Sequence, residues 1–111
     1  MQDINSSELE RCAVVTGSSR GIGKAIAERL AQDGCNIIVN CSHEGGLPAA
    51  QQTADNLAHD YGVQAIAIAA DVSREDEAKR LIDGAISAFG RVDILVNNAG
   101  ITRDGLIMRM K

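Results

Sequence analysis

Three glycines, Gly17, Gly21 and Gly23, stand at the spacing G-x-x-x-G-x-G inside the run Thr16, Gly17, Ser18, Ser19, Arg20, Gly21, Ile22, Gly23. An apolar stretch (Cys12, Ala13, Val14, Val15) precedes them and a helical pattern follows. A strand, a glycine turn and a helix in that order can cradle a phosphate. Glycines let the main chain approach a pyrophosphate, and the helix N-terminus offers unpaired N–H groups and the positive end of its dipole. The general dinucleotide pattern G-x-G-x-x-G is not met, because its third glycine, counted from Gly21, would fall at Ile26.

The residue ending the next strand decides which nucleotide such a cradle takes. An Asp or Glu about 20 residues beyond the glycines would bond the ribose 2′-hydroxyl of NAD and repel a 2′-phosphate. Asn40, Cys41 and Ser42 occupy that region, and none is acidic. Arg20 lies within the turn, where a guanidinium can hold a 2′-phosphate through charge-assisted hydrogen bonds. The pattern predicts NADP(H) rather than NAD(H).

The elements that must position these residues alternate strand and helix. Strands are expected over 12–16, 36–41, 63–69 and 93–96, and helices over 21–32, from about Pro48 to Tyr61, and from Ser73 to Phe89. Ile22, Ile26 and Leu30 recur on one face of the first helix. Ser73 with Asp76 reads as a capping-box variant for the third, and Ala78, Leu81, Ile82, Ala85, Ile86 and Phe89 as its buried stripe. Glu75, Asp76 and Glu77 complement that helix's dipole. Such alternation means a Rossmann-type α/β fold: a parallel sheet with right-handed crossovers, four strands in the order 3-2-1-4 and three helices, an incomplete doubly wound domain. The glycine turn and the segment Asn97, Asn98, Ala99, Gly100 both fall at the carboxyl ends of strands beside the topological switch.

Composition narrows the field. The chain has 111 residues, 45% apolar and 23% charged, which suits one domain over 11–111 behind a polar tail over 1–10. A net charge of −4, one Phe, one Tyr and no Trp argue against nucleic acid and anionic membranes. The polar, acidic first ten residues read as neither signal nor transit peptide, and no apolar run reaches transmembrane length. Cys12, Cys35 and Cys41 lack metal or disulfide spacing and read as small core residues in a reducing cytoplasm. His43, His59 and Lys24 read as solvated surface groups, and Tyr61 as core.

The turn over 16–23, the pair Asp71 and Val72 after the third strand, and Asn97, Asn98, Ala99 and Gly100 after the fourth together resemble the short-chain dehydrogenase/reductase family. The continuation through Ile101, Thr102, Arg103, Asp104 and Gly105 to Lys111 resembles its 3-oxoacyl-[acyl-carrier-protein] reductase branch, which reduces β-ketoacyl thioesters with NADPH in fatty-acid synthesis. That resemblance implies cofactor contacts at Gly17, Ser18, Ser19, Arg20, Gly21, Ile22, Gly23, Ser42, Asp71, Val72, Asn98, Ala99 and Gly100. Arg20 and Ser42 would meet the 2′-phosphate, Asp71 and Val72 the adenine, and Asn98 the nicotinamide-side ribose or, instead or in addition, the main chain near the fourth strand. It also implies an acyl-carrier-protein-bound substrate.

The family's catalytic Ser and Tyr-x-x-x-Lys follow its N-N-A-G segment and would fall past Lys111. Tyr61 has Ala65 where the Lys would stand. The expectation is a cofactor-binding half without the catalytic residues, inactive alone. A non-catalytic nucleotide-binding or assembly module, and another short-chain ketoreductase, remain alternatives. The fourth strand is expected to be an apolar edge that invites self-association.

Overall fold

In a computed structural model, residues 11–98 and the backbone of residues 106–109 are described. Four parallel strands, β1 (Cys12–Val15), β2 (Asn36–Cys41), β3 (Ala65–Ala69) and β4 (Ile94–Asn97), alternate with α1 (Gly21–Gln32), α2 (Leu47–Tyr61) and α3 (Glu75–Phe89). A short 3-10 turn, Glu44–Gly46, leads into α2. A fifth strand, β5 (Leu106–Arg109), completes a sheet of order β3-β2-β1-β4-β5.

The parallel part of the sheet has the order expected from the alternation, with β1 paired to both β2 and β4. Strand periodicity divides its core in two. Ala13, Val15, Ile37 and Val39 face α1 and α2, together with Cys35 and Cys41, whereas Cys12, Val14 and Ile38 face α3 through Leu81 and Ala85. All three thiols are free and buried. Burial raises their pKa values, that of Cys12 to about 12.

Several expectations need correction. β4 is not an edge, because β5 returns antiparallel along it, pairing Ile94 with Arg109 and Asn97 with Leu106. The chain itself supplies the hydrogen-bonding partner that an apolar edge demands, so self-association through β4 loses its basis. In α1 the buried row is Gly23, Ala27 and Ala31. Ile26 and Leu30 pack only partly against the core, and Ile22 is 73% exposed. Small side chains bring the helix axis close to the sheet and leave the bulky neighbours at the flank. Ile86 of α3 is also exposed, with Leu81 and Ala85 carrying the contact.

Ser73 does not cap α3; the N-cap is Arg74. Instead, the Ser73 N–H and hydroxyl both donate to Asp71 Oδ1, at 3.1 and 2.6 Å. An Asx-type turn thus takes the serine that a capping box would have used. Among the described residues no helix is long and apolar enough to cross a membrane.

Candidate functional site

The carboxyl ends of β1, β2 and β3 open on a cleft of about 660 Å³, lined among others by Gly17, Ser19, Arg20, Gly21, Ser42, Asp71, Val72 and Asn98. It lies at the switch point, where β1 sits between β2 and β4. Two glycines of the turn need their type: Gly17 and Gly21 have φ of 61° and 66°, in the left-handed region. Gly23 is required for a different reason. A Cβ there would overlap the Gly17 carbonyl and come within 2.7 Å of Asn98 Nδ2, so the glycine lets α1 start directly against the turn.

The turn is pinned from several sides. On the β4 side, the Asn98 N–H donates to Thr16 Oγ1 at 2.8 Å and Asn98 Nδ2 donates to the Gly17 carbonyl at 3.3 Å. On the β2 side, the Gly17 N–H donates to Asn40 Oδ1 at 3.0 Å. From α2, the Thr53 hydroxyl donates to the Ser19 carbonyl at 2.9 Å. Beneath it, the Ser18 hydroxyl donates to the Val15 carbonyl at 2.6 Å and accepts the Asn40 N–H at 3.0 Å.

These contacts sort the residues singled out in the sequence. Gly17, Ser19, Arg20, Gly21, Ser42, Asp71, Val72 and Asn98 are brought together around one cleft. Ser18 is fully buried and its hydroxyl belongs to the scaffold, so its side chain cannot face a ligand there. Ile22 and Gly23 stand just beyond the cleft wall in the first turn of α1. Ala99 and Gly100 lie outside the described residues. Asn98 has the main-chain bonding role, through its amide on Gly17. In the sequence Asn40 stands out only as a non-acidic residue at the end of the second strand. Its signal was a polar residue in an apolar strand, Asn36–Cys41, where a buried amide must find partners.

The electrostatics favour an anion at one end. The first turn of α1 holds no acidic residue and has no side-chain cap, leaving its first N–H groups without intrahelical acceptors. Among the described residues, no carboxylate lies within ion-pair distance of Arg20. On the β3 side, the Ser73 hydroxyl and N–H hold the Asp71 carboxyl below its usual range. A left-handed glycine pair, a helix start without acids, a guanidinium with no carboxylate partner among the described residues and a serine in one cleft fit a phosphorylated dinucleotide.

Comparison with known proteins agrees with this geometry. The family model of short chain dehydrogenases matches residues 11–111. A 3-oxoacyl-[acyl-carrier-protein] reductase, FabG, of Staphylococcus epidermidis is 47% identical over 103 residues, covering 93% of this chain and 41% of that protein. The 3-oxoacyl-[acyl-carrier-protein] reductase of Synechocystis is 48% identical over 99 residues, covering 89% and 39%. Among solved structures, L-sorbose reductase of Gluconobacter frateurii, complexed with NADPH and L-sorbose, superposes with a TM-score of 0.73 at 38% identity, covering 83% of this chain and 34% of that one. Acetoin dehydrogenase YohF of Salmonella typhimurium also gives 0.73, at 43% identity, covering 84% and 37%. The chain thus spans about two fifths of the length of the curated relatives it matches. Its strand order, its glycine turn and these matches agree throughout, and the chain belongs to the short-chain dehydrogenase/reductase family.

Proposed function

We propose that this chain forms the NADP(H)-binding half of a ketoreductase that acts on β-ketoacyl groups carried by acyl-carrier protein. The observation that carries the cofactor assignment is the cleft itself: Arg20 and Ser42 line it together, and no acid stands at the end of β2. The substrate assignment rests on the FabG relatives. The three buried thiols support a reducing, cytoplasmic setting.

In this reading the main-chain N–H groups at the start of α1 hold the pyrophosphate. Arg20 and Ser42 hold the 2′-phosphate. Asp71 and Val72 border the adenine, and Asn98 borders the nicotinamide-side ribose while keeping the turn in place. The chemistry such a cofactor supplies when bound is hydride delivery to a keto carbon.

Titrating the wild type and Arg20→Ala with NADPH and NADH tests the assignment. The wild type should prefer NADPH. Loss of a charge-assisted contact should weaken NADPH by roughly tenfold to a hundredfold and leave NADH unchanged. Equal NADPH affinity in the two proteins would remove Arg20 from the site.

A second reading, a nucleotide-binding or assembly module without catalysis, draws on Tyr61. This single tyrosine packs partly buried against the core on the α1 and α2 side of the sheet, and Ala65 stands where a pKa-lowering lysine would be needed. Oxidation of NADPH by the purified chain with a β-ketoacyl thioester would overturn this second reading. Binding without turnover is the outcome expected of this stretch alone.

A further inference from the structure

We infer that Asn40 is a positioning residue whose buried amide sets the distance between the phosphate-binding turn and the adenine-side wall of the cleft; this rests on the NADP(H) reading above. Asn40 is 1% exposed. Its Oδ1 accepts the Gly17 N–H at 3.0 Å, while its Nδ2 faces the carbonyls of Cys41, Ile68 and Ala70 at 3.0, 3.1 and 3.2 Å. The ladder hydrogen bonds of the sheet fix β1, β2 and β3 relative to one another. They do not fix the segments that leave those strands. Gly17 has already turned away from β1, and Ala70 lies just past the end of β3. The amide joins these two departing segments directly.

An amide is suited to this position because it accepts at one end and donates at the other. A carboxylate would set a second oxygen against three carbonyls, and alanine would make neither bond. Each segment also has a backbone anchor of its own: the Ser18 N–H donates to the Asn40 carbonyl, and the Ala70 N–H to the Cys41 carbonyl, both at 2.9 Å. Loss of the side chain should therefore leave each half of the cleft in place and loosen one against the other. A ligand reaching both halves at once depends on their separation; a ligand confined to one half does not.

The test compares the wild-type chain with Asn40→Ala and Asn40→Leu, using NADPH as the spanning ligand and adenosine, which carries no phosphate to reach Arg20 or the start of α1, as the half ligand. The NADPH dissociation constant should rise about tenfold or more in both variants, while that for adenosine stays within about twofold. Amide hydrogen exchange at Gly17 should accelerate, with Ile38 unchanged. Equal weakening toward both ligands, the mark of a merely structural role, overturns the proposal, as does undiminished NADPH binding. An arm on the wild type alone decides the matter if the variants do not fold. In the wild type the Asn40 side-chain amide protons should be as protected from exchange as the Gly17 N–H, and a freely exchanging side-chain amide overturns the proposal. A wild-type chain that does not bind NADPH overturns the cofactor reading itself, an outcome distinct from a binding wild type with unimpaired variants.

Discussion

Helices α1 and α3 both start just after parallel strands, β1 and β3, and neither N-cap side chain bonds its first turn. Their first turns nevertheless differ in kind. That of α3 carries Glu75, Asp76 and Glu77, and Glu77 Oε1 accepts the Asp71 N–H at 2.7 Å. Arg74 and Arg80 then pair with these acids, at 3.7 Å to Asp76 and 3.7 Å to Glu77. The positive end of that helix is neutralised within its own sequence. The first turn of α1 holds Gly21, Ile22 and Gly23, has no acid, and stands beside Arg20. One helix start is neutralised by its own residues and the other is not. The residues of a single turn thus decide whether the same backbone arrangement keeps its positive end or cancels it.

The largest effect should come from disturbing how α1 meets its turn. Gly23→Val would drive side-chain atoms into the Gly17 carbonyl and Asn98. We expect NADPH binding to be lost and stability to fall by roughly 1–3 kcal/mol, read by urea denaturation. Next comes transplanting the chemistry of α3 onto α1. Ile22→Glu is tolerated by space, since Ile22 is exposed. It should raise stability by about 0.3–1 kcal/mol through the dipole while weakening NADPH by about tenfold. Opposite signs in calorimetry and titration are the decisive result; a fall in both would mean that the two helix starts do not differ as described.

The reciprocal change, Glu77→Gln, removes a charged acceptor from the Asp71 N–H and should cost about 1 kcal/mol, with a smaller loss of NADPH affinity than Ile22→Glu. The smallest effect concerns Asp71. Its lowered pKa means that any stability it contributes is present above the ordinary carboxylate range and is lost as pH falls through the lowered value. Ser73→Ala should move the Asp71 titration upward toward its usual position, as followed by NMR of the carboxyl carbon.

Much of this contrast is legible in the sequence. The acid triplet of α3, the glycine spacing of α1 and the strand order follow from residue type and alternation alone. Less visible was which face of α1 would turn inward. Periodicity favours the large residues Ile22, Ile26 and Leu30, yet the row Gly23, Ala27 and Ala31 is buried, because close approach rewards small side chains. Ser73 offered a plausible cap, but Asp71, two residues earlier, competes for the same groups. β5 has little signal in the sequence because its four residues are too few to show a period. Asn40 escaped because its partners, Gly17, Ile68 and Ala70, are brought together only by the assembled sheet.

The distribution of the three cysteines has a use of its own. Cys12 belongs to the core beneath α3, and Cys35 and Cys41 to the core beneath α1 and α2. Protonated and shielded from solvent, Cys12 and Cys35 should react with a thiol reagent only when the protein opens, whereas Cys41 also lines the cleft. Cys12 and Cys35 form a two-channel clock for native-state opening: labelling at Cys12 times exposure of one face of the sheet, and labelling at Cys35 times the other. A nucleotide that closes the cleft would slow whichever face must open to release it.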